Sequence, residues 1–472
     1  MTERRRVFDL QKALYYASPI WVRNLYAKIP YGVRLGRPYR RTLRLIADTE
    51  TWDADRLRTY QVLQLRELLR VAFKSVPFYE DWARRQGAAP EDFGKPEDIR
   101  KLPIVSKEQI RGDLNAFARR GRCRLFHFQE STSGTSGRSF QFLGDNFAYR
   151  MEQAYINSLW GRFGFVPMTP KATLRGREVV NPQTAHRWQY NPIHNEVNLS
   201  IYELSEESLS DYVTACAEHD VRFLHGFPSA ISSLSALLLE HDAERRRFPP
   251  LRAVLAGSEG LQEGQRELME QAFGCRVVTW YGMSERVILA GECEGSQLYH
   301  CFPQYGITEL VDEEGQVITE PDVEGELVGT SFINRVMPFI RYRTGDLASW
   351  ARGFCTHCKR AYPLLARVSG RAQDYLVGRD DRRITIRGIS STGHGSVFSN
   401  VVRYQFFQNT PGRAVLRLVP APDFDDEDLQ RIRTAIRQKI GKTIDLEVQT
   451  VEAVSITDSG KGRCVVQDAP IG

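Results

Sequence analysis

Helices and strands alternate along residues 205–280, and this pattern constrains the fold more than any other feature of the sequence. Amphipathic periodicity and short apolar stretches take turns there. Such alternation predicts a parallel sheet with helices packed on its faces. Ligands of these sheets bind beyond the carboxyl ends of the strands, so residues at those ends are the first candidates for a site. We predict helices at 205–219, 228–239 and 262–273, and strands at 221–227, 251–256 and 275–280.

The chain on either side of this alternation follows other patterns. Residues 1–120 are expected to be mostly helical, because residues 55–74 place apolar side chains at three- and four-residue spacing. Residues 165–200 contain four prolines and are expected to be irregular. Later apolar stretches, separated by acidic or glycine turns, predict an antiparallel region. Its strands are expected at 307–311, 325–330 and 339–342.

The last hundred residues resemble a separate small unit, with a helix predicted at 425–440. We place the boundary near Gly370-Arg371. The predicted fold class is α/β. A large N-terminal multi-layer α/β domain (residues 1–370) has a helical leading part and an antiparallel β subregion. A small, mobile α+β domain (residues 371–472) completes the chain.

Composition excludes several classes of protein. The chain has 472 residues, 42% of them hydrophobic and 26% charged, which suits a globular protein with a large core. Its net charge of +6 is modest and gives no reason to expect a nucleic-acid partner. No apolar stretch approaches the roughly 20 residues that span a bilayer. The first residues lack the apolar core of a signal peptide, so we expect a cytoplasmic protein.

The run Ser131-Thr132-Ser133-Gly134-Thr135-Ser136-Gly137-Arg138 combines hydroxyls, glycines and a cation. Glycine lets backbone N–H groups turn toward an anion, hydroxyls add donors, and arginine binds phosphate oxygens. Alone, such a run is more typical of an ordinary surface loop, and its spacing matches neither common glycine-rich phosphate motif. Phosphate binding here therefore depends on whether the rest of the chain needs a nucleotide.

Six short motifs occur in one order along the chain. They are STSGTSGR at 131–138, WYGMSE at 280–285, GEL at 325–327, RYRTGD at 341–346, GRAQD at 370–374 and SGK at 459–461. In this order the chain resembles the adenylate-forming superfamily of acyl-CoA synthetases, and most of all its phenylacetate–CoA ligase branch with the CapK-like proteins. The resemblance implies an ATP-dependent ligase that forms an acyl-adenylate, releases pyrophosphate and passes the acyl group to an acceptor.

The resemblance also implies roles around the phosphates of ATP. The loop 131–138 would hold the β- and γ-phosphates, and Ser284 would contact the α-phosphate. Glu285 would bind Mg²⁺, a cation that prefers oxygen ligands. Lys461 would reach the carboxylate and the α-phosphate when the small domain closes. With Glu285 and Arg371, which lies at the domain junction, it would form the catalytic set.

On the nucleoside side, Tyr281 would flank the adenine and Asp346 would accept hydrogen bonds from both ribose hydroxyls. Taken singly, Tyr281 suits a core position and Asp346 a turn, so these roles depend on the joint order of the motifs. Two departures stand out: the glycine loop ends in Arg138 where relatives have lysine, and Gln373 replaces the first of two acids. Further nucleotide contacts are implied at Gly257, Ser258, Glu259, Gly282 and Met283.

The sequence Cys355-Thr356-His357-Cys358 has the two-residue spacing with which paired thiolates chelate one ion. A tetrahedral site needs two more ligands. Cys293 and His300 are the first candidates, with Cys301 and His357 as substitutes. The alternative is a set of reduced thiols. Some relatives in the branch carry a structural zinc here, so we expect structural Zn²⁺ besides ATP and Mg²⁺.

The acid and its acceptor are less constrained. Phe227 and Trp280, which are expected to line the acyl pocket, suit an aromatic or flat apolar acid, although aromatic residues are also common in cores. The resemblance favours coenzyme A as co-substrate. The alternatives are an amide- or ester-forming ligase of a polysaccharide or secondary-metabolite pathway, and a non-catalytic binding protein. We expect a small-molecule acid and an acyl acceptor as partners, and consider a homodimer. The pocket is expected at Phe227, Ser229, Ala256, Gly257, Trp280 and Gly282.

Overall fold

The computed structural model describes residues 18–121, 127–132, 140–175, 187–371, 375–379, 383–385, 398, 400–440, 443–456 and 463–467. The helices are α1 Ile20–Ala27, α2 Tyr31–Arg34, α3 Gly36–Thr49, α4 Ala54–Ser75, α5 Pro77–Gln86, α6 Lys107–Gly112, α7 Leu114–Phe117, α8 Asn146–Gly161, α9 Glu206–Glu218, α10 Pro228–Glu240, α11 Asp242–Arg247, α12 Gln265–Phe273 and α13 Asp426–Ile440. Short 3₁₀ helices lie at Pro90–Asp92 and Pro96–Lys101.

The strands are β1 His127–Thr132, β2 Phe140–Asp145, β3 Lys171–Leu174, β4 Trp188–Asn191, β5 Glu196–Leu199, β6 Phe223–Gly226, β7 Ala253–Gly257, β8 Arg276–Gly282, β9 Leu289–Cys293, β10 Ser296–Cys301, β11 Gly306–Val311, β12 Glu324–Ser331, β13 Tyr342–Trp350, β14 Leu364–Arg371, β15 Tyr375–Val377, β16 Arg383–Thr385, β17 Val401–Thr410, β18 Arg413–Pro420, β19 Asp445–Thr450 and β20 Val465–Val466.

The first of two compact units combines Met1–Met168, Pro192–His194 and Trp280–Val368. Its leading part is helical, as predicted, and α4 buries a stripe that includes Leu65, Leu68 and Ala72. Five of its strands lie in the order β11-β12-β13-β14-β10, and β9 pairs antiparallel with both β10 and β8. After residue 305, β12 pairs antiparallel with both β11 and β13. The antiparallel region expected after residue 305 is therefore confirmed.

The second unit combines Thr169–Asn191, Asn195–Thr279 and Ser369–Gly472. Its strands lie in the order β7-β6-β3-β5-β4, and β3, β5, β6 and β7 pair in parallel. This confirms the parallel sheet that the alternation predicts. Gly226 is required in β6 because a Cβ there would lie 2.4 Å from the Leu174 carbonyl oxygen of β3. Apolar residues of α9 and α10, among them Val213 and Ile231, bury the sheet.

A smaller sheet in the second unit has the order β19-β18-β17-β20, with α13 packed against it through Ile432 and Ile436. Two glutamines of the α12 region bind its strand β17. Gln262 exchanges hydrogen bonds with the Tyr404 backbone, both at 3.2 Å, and Gln265 donates to Val402 O at 3.2 Å. The predicted α/β class, with an antiparallel subregion and a C-terminal α+β part, is confirmed. The boundary between residues 1–370 and 371–472 stays a prediction.

Two local predictions were wrong. Residues 165–200 contain β3, β4 and β5. The sequence did not reveal β3 and β5 because polar residues interrupt their apolar pattern. Two of these residues, Lys171 in β3 and Glu196 in β5, form a buried ion pair at 3.1 Å. The strand expected at 339–342 begins only at Tyr342, since Arg341 has a φ of 46°, in the left-handed region that interrupts a strand. No helix in the described residues is long and apolar enough to cross a membrane.

Candidate active site

Tyr281 and Asp346 lie together in the first unit. Tyr281 stands near the end of β8, and its hydroxyl donates to Asp346 Oδ2 at 2.7 Å. Asp346 follows Gly345, whose φ of 80° turns the chain so that the Asp346 backbone N–H can bond to Thr344 Oγ1 at 3.0 Å. Burial and the adjacent Asp346 carboxylate raise the pKa of Tyr281 well above its ordinary value. The tyrosine therefore stays protonated and donates to the carboxylate.

Glu285 is buried three residues after β8 and contacts two groups from distant parts of the chain. Tyr342 donates its hydroxyl proton to Glu285 Oε1 at 2.9 Å, and Lys107 Nζ lies 3.5 Å from the same oxygen. Lys107 is held there because Val105 pairs with the start of β13. Val105 N donates to Arg341 O, and Arg343 N donates to Val105 O, both at 2.9 Å.

Arg286, the residue after Glu285, is buried between two carboxylates. Its Nη1 donates to Glu130 on β1 at 2.6 Å and its Nε donates to Glu152 on α8 at 2.7 Å. Burial opposes the charge of the guanidinium, but Glu152 and Glu130 raise the pKa of Arg286 above its ordinary value. Burial also raises the pKa of Glu130 and of Glu152, and the single arginine that they share offsets this only in part.

Among the described residues, the carboxylates around Glu285 outnumber the cations that pair with them. Three carboxylates (Glu130, Glu152 and Glu285) face two cations (Arg286 and Lys107). A divalent cation with a preference for carboxylate oxygen fits this set. The sequence reasoning identified Glu285 but missed the other four residues. The adjacency of Arg286 to Glu285 was an available signal, whereas nothing local connects Lys107 to this site.

Cys293, His300, Cys355 and Cys358 also lie in the first unit, and their ligand atoms are all within 4.8 Å of one another. Cys293 ends β9, His300 lies on β10, and the other two follow β13. The structure thus brings together the four first-choice ligands. Among the described residues, this group includes neither of the substitutes, Cys301 and His357.

The donors of this cluster have the chemistry of a zinc site. Cys293 Sγ and Cys355 Sγ are 3.7 Å apart, far beyond a disulfide and close to the ~3.8 Å edge of a tetrahedron with Zn–S bonds of about 2.3 Å. His300 Nδ1 lies 2.9 Å from Leu298 O and must therefore carry the proton, which leaves Nε2, 3.1 Å from Cys358 Sγ, as the ligand atom. Burial lowers the pKa of His300 to about 4, so the imidazole is neutral.

Trp280 and Gly282 of the predicted acyl pocket lie at the end of β8 in the first unit. Trp280 makes an edge-to-face contact with Trp160, with ring centroids 6.4 Å apart. Trp280 Nε1 is buried and has no hydrogen-bond partner among the described residues. Gly282 is fixed by this ring, because a Cβ there would lie 2.8 Å from it. Met283 and Ser284 follow directly, and Ser284 is exposed.

The other pocket candidates lie at strand ends in the second unit. Phe227 and Ser229 are buried where β6 passes into α10, and Ser229 N donates to Glu259 Oε2 at 3.2 Å. Ala256 and Gly257 end β7. Ser258 follows with a φ of 71°. This conformation is energetically unfavourable for residues other than glycine, and residues that adopt it cluster at functional sites.

Arg175, at the end of β3, was not foreseen in this group. It donates to Ser258 Oγ, and its guanidinium lies 5.4 Å from the centre of the Phe227 ring. Nearby His225 is fully buried with Nδ1 2.8 Å from Leu255 O, and burial lowers its pKa to about 3. His225 is therefore neutral, and Arg175 carries the positive charge at these strand ends.

Several predicted residues lie outside the described residues. These are Ser133–Arg138 of the glycine loop, and Lys461. The backbone of Ser131 and Thr132 ends β1, where they pair with Gln141 and Phe140 of β2. Arg371 ends β14.

Comparison with known proteins decides the family. A family model described as AMP-binding enzyme matches residues 184–331, and one described as CapK C-terminal domain matches residues 376–468. The chain is 22% identical over 462 residues to "Protein CapK" of Staphylococcus aureus, an alignment that covers 96% of this chain and 99% of that protein. The chain belongs to the adenylate-forming superfamily. Within it, the chain lies in the branch of the phenylacetate–CoA ligases and CapK-like proteins.

The chain is also similar to one coenzyme A ligase in sequence and to another in fold. The phenylacetate–coenzyme A ligase of Thermus thermophilus is 26% identical over 351 residues, covering 70% of this ligase and 74% of that one. A crystal structure of 2-hydroxyisobutyryl-CoA ligase, in the postadenylation state with an acyl-AMP, matches with a TM-score of 0.70 at 19% identity. It covers 89% of this chain and 92% of the other, and at that identity it shows the fold alone.

We predict that Arg286→Met lowers the free energy of unfolding by about 3–5 kcal/mol, because it leaves Glu130 and Glu152 buried without a counter-charge. Chemical unfolding followed by tryptophan fluorescence measures the loss. The cost should shrink as the pH falls, since protonation of the two carboxyls, whose pKa is already raised, removes the unpaired charge.

The matched control is Arg352→Met, which breaks an exposed ion pair with Asp322 and should cost less than about 1 kcal/mol. Equal costs for the two arginine variants would contradict the role given to the buried network.

Proposed function

We propose that this ligase activates a carboxylic acid by attack of a carboxylate oxygen on the α-phosphorus of ATP. The bond from that phosphorus to pyrophosphate breaks, and acyl-adenylate forms. The thiol of coenzyme A then attacks the acyl carbon, and AMP leaves. The observation that carries this proposal is the placement of Tyr281, Asp346 and the Glu285 cluster in one unit, at the motifs shared with the superfamily.

Charge must be neutralised on both reactants, because carboxylate and phosphates repel each other. We assign the loop 131–138 to the β- and γ-phosphates and Ser284 to the α-phosphate. The excess negative charge around Glu285 supports its assignment to Mg²⁺, which would neutralise phosphate oxygens. Lys461 and Arg371 act from the C-terminal domain proposed for residues 371–472, Lys461 on the carboxylate and the α-phosphate, Arg371 on the ribose or phosphates.

On the nucleoside side, Asp346 is assigned to the ribose hydroxyls and Tyr281 to the adenine. The Tyr281–Asp346 hydrogen bond supports this pairing, since it holds the two side chains together and orients the carboxylate. Residues 257–259 and 282–283 complete the nucleotide contacts.

The proposed acid is aromatic or flat and apolar, with Phe227 and Trp280 as the flat surfaces. The Trp280 Nε1 group, which has no partner among the described residues, supports an acid that also carries a hydrogen-bond acceptor. Ser229, Ala256, Gly257 and Gly282 are assigned to the rest of the acyl pocket.

An amine or hydroxyl acceptor is the second candidate. We keep it because the likeness to the coenzyme A ligase of Thermus thermophilus covers only 70% of the chain, whereas the likeness to CapK, whose name specifies no acceptor, covers 96%. Because one fold serves several acceptors, the acceptor has to be measured.

We predict ATP–pyrophosphate exchange that depends on an added acid, over a panel of aryl, arylacetic and aliphatic acids. Lys461→Ala should retain ATP binding and lose most of the exchange. Coenzyme A or amines, added with the active acid, then separate thioester from amide by product mass. ATP binding without exchange for any acid would favour the non-catalytic alternative.

We further propose that Cys293, His300, Cys355 and Cys358 hold a structural Zn²⁺. Four protein ligands close the coordination sphere, so the ion would tie the β9–β10 hairpin to the segment after β13 and add folding energy.

The purified protein should contain one equivalent of zinc by elemental analysis. Cys358→Ser should lose the metal and lower the melting temperature, because the remaining donors cannot close the site. Cys301→Ser is the matched control: Cys301 is buried in the adjacent core, outside the cluster, and this variant should keep its zinc. Zinc in both variants, or in neither, would contradict the ligand set.

Lys107 is proposed as an additional phosphate-binding residue. It already lies 3.5 Å from the Glu285 carboxylate, where an ammonium can pair with a phosphate oxygen once a metal ion neutralises Glu285.

Lys107→Met should weaken binding of Mg–ATP, measured by calorimetry without acid, by about 10-fold or more. Lys101→Met serves as control, since Lys101 is exposed and pairs with Asp98. Unchanged affinity in Lys107→Met would show that this lysine only stabilises Glu285.

A further inference from the structure

The N-terminal helices expose apolar side chains that no described part of the fold covers. Trp21 is 66% exposed, Leu25 61%, Val33 54%, Tyr26 44% and Ile29 39%. Exposed apolar residues are common singly, but five within thirteen positions are a local concentration, and exposed apolar patches mark interaction sites. The N-terminal surface, as we call it, comprises these five side chains and the neighbouring exposed cations Lys28, Arg37, Arg40, Arg41 and Arg44.

The helices that carry these exposed side chains are attached to the rest of the first unit. Trp21 and Leu25 are four residues apart in α1 and therefore share one face. On α2, Arg34 donates to Ile193 O at 2.6 Å, and Tyr31 packs edge-to-face against the buried Tyr39. The apolar side chains thus remain outside while the polar and aromatic contacts hold the helices in place.

The charge around these side chains has one sign. Residues 18–47 contain seven lysines and arginines and no aspartate or glutamate. Helix α3 buries Tyr39, Thr42 and Ile46, whereas Arg40, Arg41 and Arg44 are exposed. Elsewhere the charges are mixed, since the whole chain has 64 basic and 58 acidic residues. The segment is therefore a local concentration of positive charge beside apolar side chains.

We propose that the N-terminal surface docks on the surface of an anionic lipid bilayer. Tryptophan, tyrosine and aliphatic side chains enter the boundary between headgroups and acyl chains, and neighbouring cations attract anionic lipids. Residues 21–44 carry both elements. The inference is independent of the acid, the acceptor and the metal proposed above, and it requires no membrane-spanning helix.

Charge argues against two other occupants. A second copy of the chain, paired through the same surface about a two-fold axis, would bring the five exposed cations of one copy against those of the other. Nucleic acid would satisfy the cations but would leave Trp21, Leu25 and Val33 without an apolar partner, because phosphate contacts dominate such interfaces. An anionic bilayer satisfies both sets of side chains.

The test is sedimentation of the full-length protein with vesicles of phosphatidylcholine alone or with added phosphatidylglycerol. We expect binding to the anionic vesicles, weakened by high salt because screening shortens the range of the attraction. Arg40→Gln/Arg41→Gln/Arg44→Gln should weaken binding by about 100-fold. Trp21→Ser/Leu25→Ser should weaken it at least about 10-fold.

Matched controls separate the surface from general effects. Leu63→Ser removes another exposed apolar residue, and Arg84→Gln/Arg85→Gln removes exposed cations elsewhere; both variants should bind as wild type. Melting temperatures check that every variant is folded. The proposal is overturned if anionic vesicles bind no more protein than neutral ones, or if all variants bind alike. It is also overturned if Trp21→Ser/Leu25→Ser converts a dimer to a monomer in analytical ultracentrifugation, or if duplex DNA binds equally well with and without that change.

Discussion

The buried arginine Arg286 is the constraint on which the proposed phosphate site depends. It follows Glu285 directly and pairs with Glu130 on β1 and Glu152 on α8, so a single guanidinium fixes three elements of the first unit. A buried ion of this kind is stable only while its partners stay in place. One charge therefore holds together three parts of the chain: the turn after β8, strand β1 before the glycine loop, and helix α8 after that loop.

The same cluster explains why the site is suited to a polyanion that arrives with a metal ion. Two cations do not balance three carboxylates, so the cluster favours an additional positive charge. Lys107, one of these two cations, reaches the cluster from a segment that pairs with β13, far along the chain. Adenylate-forming chemistry needs a metal ion that neutralises the phosphates, and it also needs fixed groups that orient the carboxylate.

Local patterns predicted much of this protein. The alternation over 205–280 specified the parallel sheet, because each element has its own periodicity, and the C-x-x-C spacing by itself indicated a chelating pair. What failed was non-local. The pairing of Lys171 with Glu196 hid two strands, since polar residues in a short strand resemble a loop. The approach of Lys107 to Glu285 depends on a strand pairing that no local pattern encodes.

The most direct test of the central claim follows the oxygen atoms of the acid. An acid that supports pyrophosphate exchange is labelled with ¹⁸O in its carboxylate and incubated with ATP, the ligase and the active acceptor. If the carboxylate attacks the α-phosphorus, a labelled oxygen remains on AMP after acyl transfer, and pyrophosphate carries none. Label in inorganic phosphate, together with ADP, would show attack at the γ-phosphorus and contradict the account.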